Sequence, residues 1–314
     1  RYRHTIFATD GVYDALALIG RHVPFTRLEA SIDKRRGLRN VPLYRRLIRK
    51  VGPDVVVTHN WGTIEWAFAA RFVPGLRHVH IEDGFGPEEA NRQLRRRVLF
   101  RRLALGGART TVIVPSHVLQ DIATRIWRLP PAKVQLVPNG IDLARFASAD
   151  VAEARAAANK SADEVLIGTV ATLRPEKNLG LLIRAFAALP AQPRARLFIV
   201  GAGAELDKLK ATAGHAGVEN RVVFFGHTPK PERIMPAFDV FAMSSDTEQM
   251  PIGLLEAMAC GLPVAATRVG DIAHMVAAQN EAYLAPAGSV EALAGALRAL
   301  VTDAGLRARL GAEN

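Results

Sequence analysis

The 314-residue sequence has a single cysteine, Cys260. No internal disulfide can form, so the core must hold without covalent staples, which fits a reducing compartment such as the cytoplasm. Aromatic residues make up only 6%. No basic tract interleaved with aromatics, helix-turn-helix pattern or zinc-finger spacing occurs, and nucleic acid is not expected as a partner. No run of 18 apolar residues is present, so no transmembrane helix is expected in this sequence. There is no Asp-x-Asp pair, the closest approach being Asp246-Thr-Glu248. Enzymes that grip a diphosphate through a divalent metal need paired carboxylates at such spacing, so no metal cofactor is expected. The chain also lacks an initiating Met. It opens on Arg-Tyr-Arg-His, neither a signal nor a transit peptide. It closes on Leu-Arg-Ala-Arg-Leu-Gly-Ala-Glu-Asn, which reads like a helix cut short. Both ends suggest a piece of a longer protein.

The balance of 49% apolar to 23% charged residues is that of a soluble globular protein, and the length suffices for two domains. The net charge of +11 is unevenly placed. Residues 1–140 hold 24 Lys and Arg against 11 Asp and Glu, and residues 141–314 hold 17 against 19. The excess therefore lies wholly in the first half, concentrated in Lys34–Arg39, Arg45–Lys50 and Arg92–Arg102. Solvated helix faces account for such runs, as do an anionic membrane surface or an acidic substrate.

Short β-rich runs alternate with amphipathic stretches throughout. Candidate strands in the first half are His4–Thr9, Pro24–Leu28, Asp54–His59, Arg77–Ile81, Thr110–Pro115 and Lys133–Pro138. Helical periodicity marks Val41–Val51, Thr63–Arg71 and Arg92–Leu105 between them. Pro138-Asn139-Gly140 interrupts the pattern, and the Ala- and charge-rich stretch Asp142–Glu164 has no strand. Alternation resumes with Val165–Ala171, Arg196–Gly201, Val222–Gly226, Val240–Ser245, Pro263–Arg268 and Ala282–Leu284, with helices over Leu179–Leu189, Ala204–Ala213, Ile252–Cys260 and Val290–Val301. Such alternation predicts an α/β protein with mostly parallel sheets covered by helices. We expect two doubly wound Rossmann-like domains, 1–140 and 141–314, facing across a cleft into which the C-terminal ends of their strands open.

The most informative string runs from Ser244 to Pro263. A strand ends at Ser244-Ser245, a loop carries Glu248, and a helix starts near Ile252 with Glu256 one turn in. The backbone amides around Met250, Pro251, Ile252 and Gly253 suit a phosphate. Glu256 can accept hydrogen bonds from two neighbouring ribose hydroxyls, and Glu248 can reach a sugar. Upstream, Gly168–Asn178 places Lys177 just ahead of a helix, where fixed positive charge can meet the charge developing on a diphosphate leaving group. Gly201-Ala-Gly203 is a tight strand-to-helix turn lining the same crevice. A dinucleotide fingerprint needs a third glycine where this chain has Leu206, which argues against NAD. Cys260 reads as a small core residue.

The Glu248-to-Glu256 spacing resembles the Glu-x7-Glu signature of retaining, family 4-like glycosyltransferases of the two-domain GT-B type. Val137–Asp142 resembles their interdomain segment, Gly168–Asn178 their basic phosphate loop, and Leu197–Gly203 and Val222–Gly226 their next two strands. The resemblance covers nearly all of 133–303 and continues more weakly through 1–132. It implies a sugar transferred from a nucleoside-diphosphate sugar, UDP or GDP, to a glycan or lipid-linked acceptor of cell-surface polysaccharide or lipopolysaccharide synthesis. It further implies retention of anomeric configuration, no protein nucleophile and no metal. The protein would be cytoplasmic, with peripheral contact to an anionic membrane through the basic first half.

The family usually has an Arg where this chain has Thr172, and Arg174 lies close enough to substitute. Many relatives have a His where this chain has Asp83, within His78-Val-His80-Ile-Glu82-Asp83-Gly84; Glu82, Asp83 or His59 would then cover part of its role. His78 and His80 share one strand face and lack a third metal ligand, as expected of a hydrogen-bonded pair. Ser116 reads as a helix cap. Relatives begin with a further strand and a glycine-rich loop, and Arg1–Phe7 looks like their second strand; such a piece would bind donor yet turn over poorly. Sugar-nucleotide epimerases and phosphorylases share the fold. A non-catalytic GT-B-like binding protein is favoured by Thr172 and Asp83 and opposed by Glu248, Glu256 and Lys177.

Overall fold

The structure, a computed structural model, describes residues 2–20, 22–89, 92–147 and 149–314. Arg1, the first residue of the strand-like run Arg1–Phe7, and Ser148, inside the strand-free stretch Asp142–Glu164, lie outside the described residues. The chain divides into two compact units, Arg1–Val137 and Pro138–Asn314.

In the first unit, strands β1 (His4–Ile6) and β2 (Phe25–Arg27) pair in parallel with each other. Strands β3 (Val55–His59), β4 (Arg77–Ile81), β5 (Thr110–Val114) and β6 (Val134–Leu136) form a separate four-stranded parallel sheet in sequence order. The expected single sheet of this half is thus two sheets. The two short strands are three residues long and mostly exposed, leaving little apolar surface to draw them onto the larger sheet. Helices α1 (Val41–Val51) and α2 (Ile64–Ala70) pack around a Tyr44–Trp66 stack with centroids 4.4 Å apart. Helices α3 (Arg95–Leu105) and α4 (His117–Asp121) complete a second cluster with Val112, Val114 and Trp127. Ser116 caps α4 by accepting from Leu119 N at 3.0 Å.

Polar side chains thread this unit. His78 and His80 are buried on one face of β4 and share the Thr58 hydroxyl, each at 2.8 Å. His78 also meets Thr110, and His80 meets Glu82. The basic run Arg92–Arg102 is in part internal. Arg101 is wholly buried and donates to both oxygens of Glu89, at 3.1 and 2.9 Å, and to Glu82 at 3.4 Å. Its guanidinium lies 4.9 Å from the ring centroids of Trp61 and Trp127. Arg97 is paired with Glu88 and Glu89. Of the arginines in that run, Arg92, Arg95, Arg96 and Arg102 are exposed.

In the second unit, α5 (Leu143–Ala147) and α6 (Val151–Ala157) occupy the strand-free stretch. A six-stranded parallel sheet follows, made of β7 (Val165–Val170), β8 (Ala195–Val200), β9 (Val222–Gly226), β10 (Val240–Met243), β11 (Val264–Thr267) and β12 (Leu284–Ala285), in the order β12-β11-β10-β7-β8-β9. The expected last strand, Ala282–Leu284, begins later because a 3-10 turn runs through Tyr283. Helices α7 (Leu179–Ala187), α8 (Leu206–His215), α9 (Ile252–Ala259), α10 (Ile272–Met275), α11 (Val290–Thr302) and α12 (Ala304–Glu313) cover both faces. Successive residues Leu166 and Ile167 are both fully buried, each in the core of a different face. Burial on both faces explains why these strands read as nearly continuous apolar runs. The fold is that of Rossmann-like parallel-sheet domains.

Two outcomes follow for the first unit. Arg101→Ala takes the guanidinium from two buried carboxylates, leaving Glu82 with His80 and Glu89 with Arg97, and should cost about 3–5 kcal/mol, read by urea unfolding of this unit. Burial, with His80 adding to it, lowers the His78 pKa from 6.5 to about 3. Between those values an unfolded chain binds a proton that the folded one refuses, so stability falls as pH drops through that window. Urea midpoints of wild type should decline more steeply on acidification than those of His78→Asn.

Candidate active site

The order of the six-stranded sheet reverses between β7 and β10, which are neighbours in the sheet but distant in sequence. Loops leaving the C-terminal ends of two such strands diverge and open a crevice. The loops here are 171–178 and 244–251. They are stitched together by polar contacts. Ser244 Oγ donates to Lys177 O at 3.0 Å, and Asp246 N donates to Glu176 O at 2.9 Å. Asn178, left-handed at φ 43°, turns the chain into α7 and donates its amide to Asp246 at 2.8 Å.

Within this frame Lys177 Nζ lies 2.5 Å from Glu248 Oε1. Ser245 Oγ donates to the same oxygen at 2.7 Å. Thr267 Oγ1 holds Ser245 O at 2.6 Å, which ties the loop to the end of β11. Gly270, at φ +56°, backs the Glu248 peptide so closely that a Cβ would sit 2.3 Å from Glu248 O.

Met250 and Pro251 lead into α9. Pro251, at the N-cap, provides no side-chain hydrogen bond to the first turn, so the amides of Ile252 and Gly253 are not capped by it. Asn139 fixes the approach: its side-chain amide donates to Met250 O at 2.9 Å and its backbone N–H to Met250 Sδ at 3.2 Å. The first turn of α9 sits against the end of β7, with Gly253 giving the room.

Glu256, one turn in, is half-buried, and its carboxylate has no hydrogen-bond or ion-pair partner among the described residues. Burial raises its pKa; nearby Arg145 opposes the shift and Glu232 adds to it. Arg145 and Glu232 are themselves paired at 2.8 Å. Thr172 and Arg174 are exposed on the loop after β7, and Arg174 Nε lies 3.4 Å from Glu176. Gly203 follows β8, where a Cβ would strike Leu173 O at 2.3 Å. Cys260, half-buried at the end of α9, has its thiol pushed up to about 12 by burial and then by Glu256, far from a reactive thiolate.

The second unit thus brings Lys177, Glu248, Met250–Gly253, Glu256, Thr172, Arg174 and Gly203 to one end of one sheet. Asp83 belongs to the other unit. It is exposed after β4, and its N–H donates to Asn60 Oδ1 at 2.7 Å. His59 is exposed at the end of β3, whereas Glu82 is buried against Arg101. Among the described residues, no three His, Cys, Asp or Glu side chains cluster as metal ligands. Sequence reading missed Ser245, Asn139, Arg145 and Glu232 as parts of the site. Ser245 and Asn139 stood inside recognised motifs, but Arg145 and Glu232 are 87 residues apart and carry no local signal.

Two Rossmann-like units, one with an amide-lined crevice that carries a lysine at its switch point, define the GT-B class of glycosyltransferases. Residues 150–314 match the family described as glycosyl transferases group 1, and residues 1–145 match glycosyltransferase family 4; the chain belongs to this glycosyltransferase family. It is 30% identical over 282 residues to a D-inositol 3-phosphate glycosyltransferase of Stackebrandtia nassauensis, covering 82% of this chain and 62% of that protein. Across the curated relatives that it matches, the chain spans about half their length. Among solved structures, Anabaena HepE in complex with UDP superposes with a TM-score of 0.78 at 23% identity, covering 93% of this chain and 80% of that one. Sucrose-phosphate synthase from Thermosynechococcus elongatus gives 0.78 at 25% identity, covering 93% and 77%.

Gly270→Ala forces a left-handed alanine against the Glu248 peptide. It should cost about 1–3 kcal/mol, seen as a lowered unfolding midpoint of the second unit.

Proposed function

We propose that the chain transfers a sugar from a nucleoside-diphosphate sugar to an acceptor, with retention of configuration and without a metal ion. The supporting observation is the convergence, at the β7/β10 switch point, of Lys177, the first turn of α9, to which Pro251 offers no side-chain cap, and the Glu256 carboxylate. A diphosphate fits the ammonium and amides, and ribose hydroxyls fit Glu256. Glu248 and the exposed Arg174 stand beside the diphosphate position, where they contact the sugar and the phosphate oxygens. Thr172 and Gly203 line the crevice. The leaving diphosphate gains charge as the glycosidic bond breaks, and Lys177 with the α9 amides stabilises it, so no divalent ion is required. Attack from the leaving-group side, with a phosphate oxygen taking the acceptor proton, needs no protein nucleophile. UDP is the first nucleotide to test, since Anabaena HepE carries it, with GDP as its competitor.

The first unit takes the acceptor, Asp83 lying at its strand ends, in a role at the cytoplasmic face of cell-surface glycan assembly. The acceptor is a glycan or a lipid-linked molecule, and an anionic one suits this unit's charge. The relative from Stackebrandtia is itself named for a phosphorylated acceptor. Exposed Leu99 and Leu103 among Arg95, Arg96 and Arg102 suit peripheral contact with anionic lipid. Failure to bind anionic vesicles at low salt would count against that contact.

Thermal unfolding with UDP, GDP, ADP and NAD tests the donor site. A ligand at about 100 times its Kd stabilises by roughly 2.7 kcal/mol, enough to move the midpoint by a few degrees. UDP or GDP should shift it, and Glu256→Ala should weaken that ligand about 10–150-fold by removing a charged hydrogen bond of roughly 1.5–3 kcal/mol. Unchanged affinity in the variant removes Glu256 from the ribose. No shift with any nucleotide diphosphate favours a non-catalytic protein.

A further inference from the structure

Lys177 and Glu248 are given separate partners by the reading above, phosphate for the one and sugar for the other. In the structure they are each other's partner. The 2.5 Å contact uses Glu248 Oε1, which also takes the Ser245 hydroxyl, and the two side chains are 20% and 9% exposed. Among the described residues no second anion is paired with Lys177 and no second cation with Glu248. The loops carrying them are tied backbone to backbone and through Ser244 and Asn178. The pair therefore forms without any rearrangement of the loops and is built into the resting fold. A diphosphate reaching for the same ammonium meets a carboxylate already holding it, at close range and largely out of water, where like charges repel strongly.

We propose that Glu248 is an intramolecular competitor for the diphosphate. It holds Lys177 in the unliganded protein and yields it when the sugar-nucleotide enters. Turned away from Lys177, its carboxylate is then free to accept from sugar hydroxyls, so that phosphate binding and sugar recognition are one exchange of partners. After transfer the sugar is gone. Glu248 loses those hydroxyls and returns to Lys177, and the nucleoside diphosphate is displaced. No bond is made or broken in this exchange. It rests on the donor-site reading above and adds to it a role for Glu248 in product release.

The experiment is calorimetric and stopped-flow binding of UDP, or of GDP if that is the nucleotide that binds, to wild type, Glu248→Gln, Lys177→Ala and the double variant. Glutamine keeps an oxygen for Ser245 and removes the charge. Glu248→Gln should tighten the nucleoside diphosphate by about tenfold or more, chiefly through slower release, while transfer activity falls. In the Lys177→Ala background the same substitution should change affinity little, because there is no ammonium left to contest. Unchanged or weaker binding by Glu248→Gln overturns the proposal. So does equal tightening in both backgrounds, which would mark plain charge repulsion with no competition for Lys177. If wild type binds nucleotide in a Glu256-dependent way and Glu248→Gln does not tighten it, this inference alone fails. If wild type binds no nucleoside diphosphate, the donor-site reading fails with it.

Discussion

A parallel sheet buried on both faces has nowhere to put polar chemistry except at the ends of its strands. Leu166 and Ile167 point into opposite cores and are both inaccessible to water. Every charged group the second unit uses must therefore stand beyond a strand end, on a loop or in the first turns of the helix that follows it. The strand order then selects which loops diverge, and those after β7 and β10 are the ones that do. Lys177, Glu248 and the start of α9 share a crevice because this constraint leaves them no other place.

The crevice is rigid for reasons that lie in short polar side chains. Ser244 and Asn178 bond one loop to the other, Thr267 bonds the second loop to the end of β11, and Ser245 bonds Glu248 within that loop. The glycines at 203 and 270 permit backbone to lie on backbone, where any side chain would force the loops apart. Preorganised charge is worth most when it need not reorganise as the reaction proceeds, and these contacts keep the α9 amides and Lys177 in place before a ligand arrives. Asn139 extends the same arrangement back to the first residues of the unit.

Most strands and the donor-side motif were legible in the sequence. Double burial leaves nearly unbroken apolar runs such as Val165-Leu-Ile-Gly-Thr-Val170, and the span from Ser244 to Pro263 is local. What was hidden depended on residues far apart. The Lys177–Glu248 contact joins positions 71 residues apart, so each looked free for a ligand. The basic run on α3 looked like a solvated face because charge pattern alone does not report burial. Arg97 and Arg101 fall one turn apart on the side of α3 that meets Glu89, while Arg95, Arg96 and Arg102 turn outward. β12 was misplaced because a strand of two residues has too little pattern to register.

The Arg101 cluster has a consequence for how such a sequence can change over generations. A guanidinium has no neutral form at any pH that a cell reaches, and Arg101 has no path to water. Losing Glu89 leaves Glu82, at 3.4 Å, as the carboxylate partner of Arg101, and losing Arg101 leaves Glu82 to His80 and Glu89 to Arg97. Drift at any one of the three positions therefore costs stability unless the others move with it. Substitutions at 82, 89 and 101 should accordingly be found together more often than alone in a set of descendants.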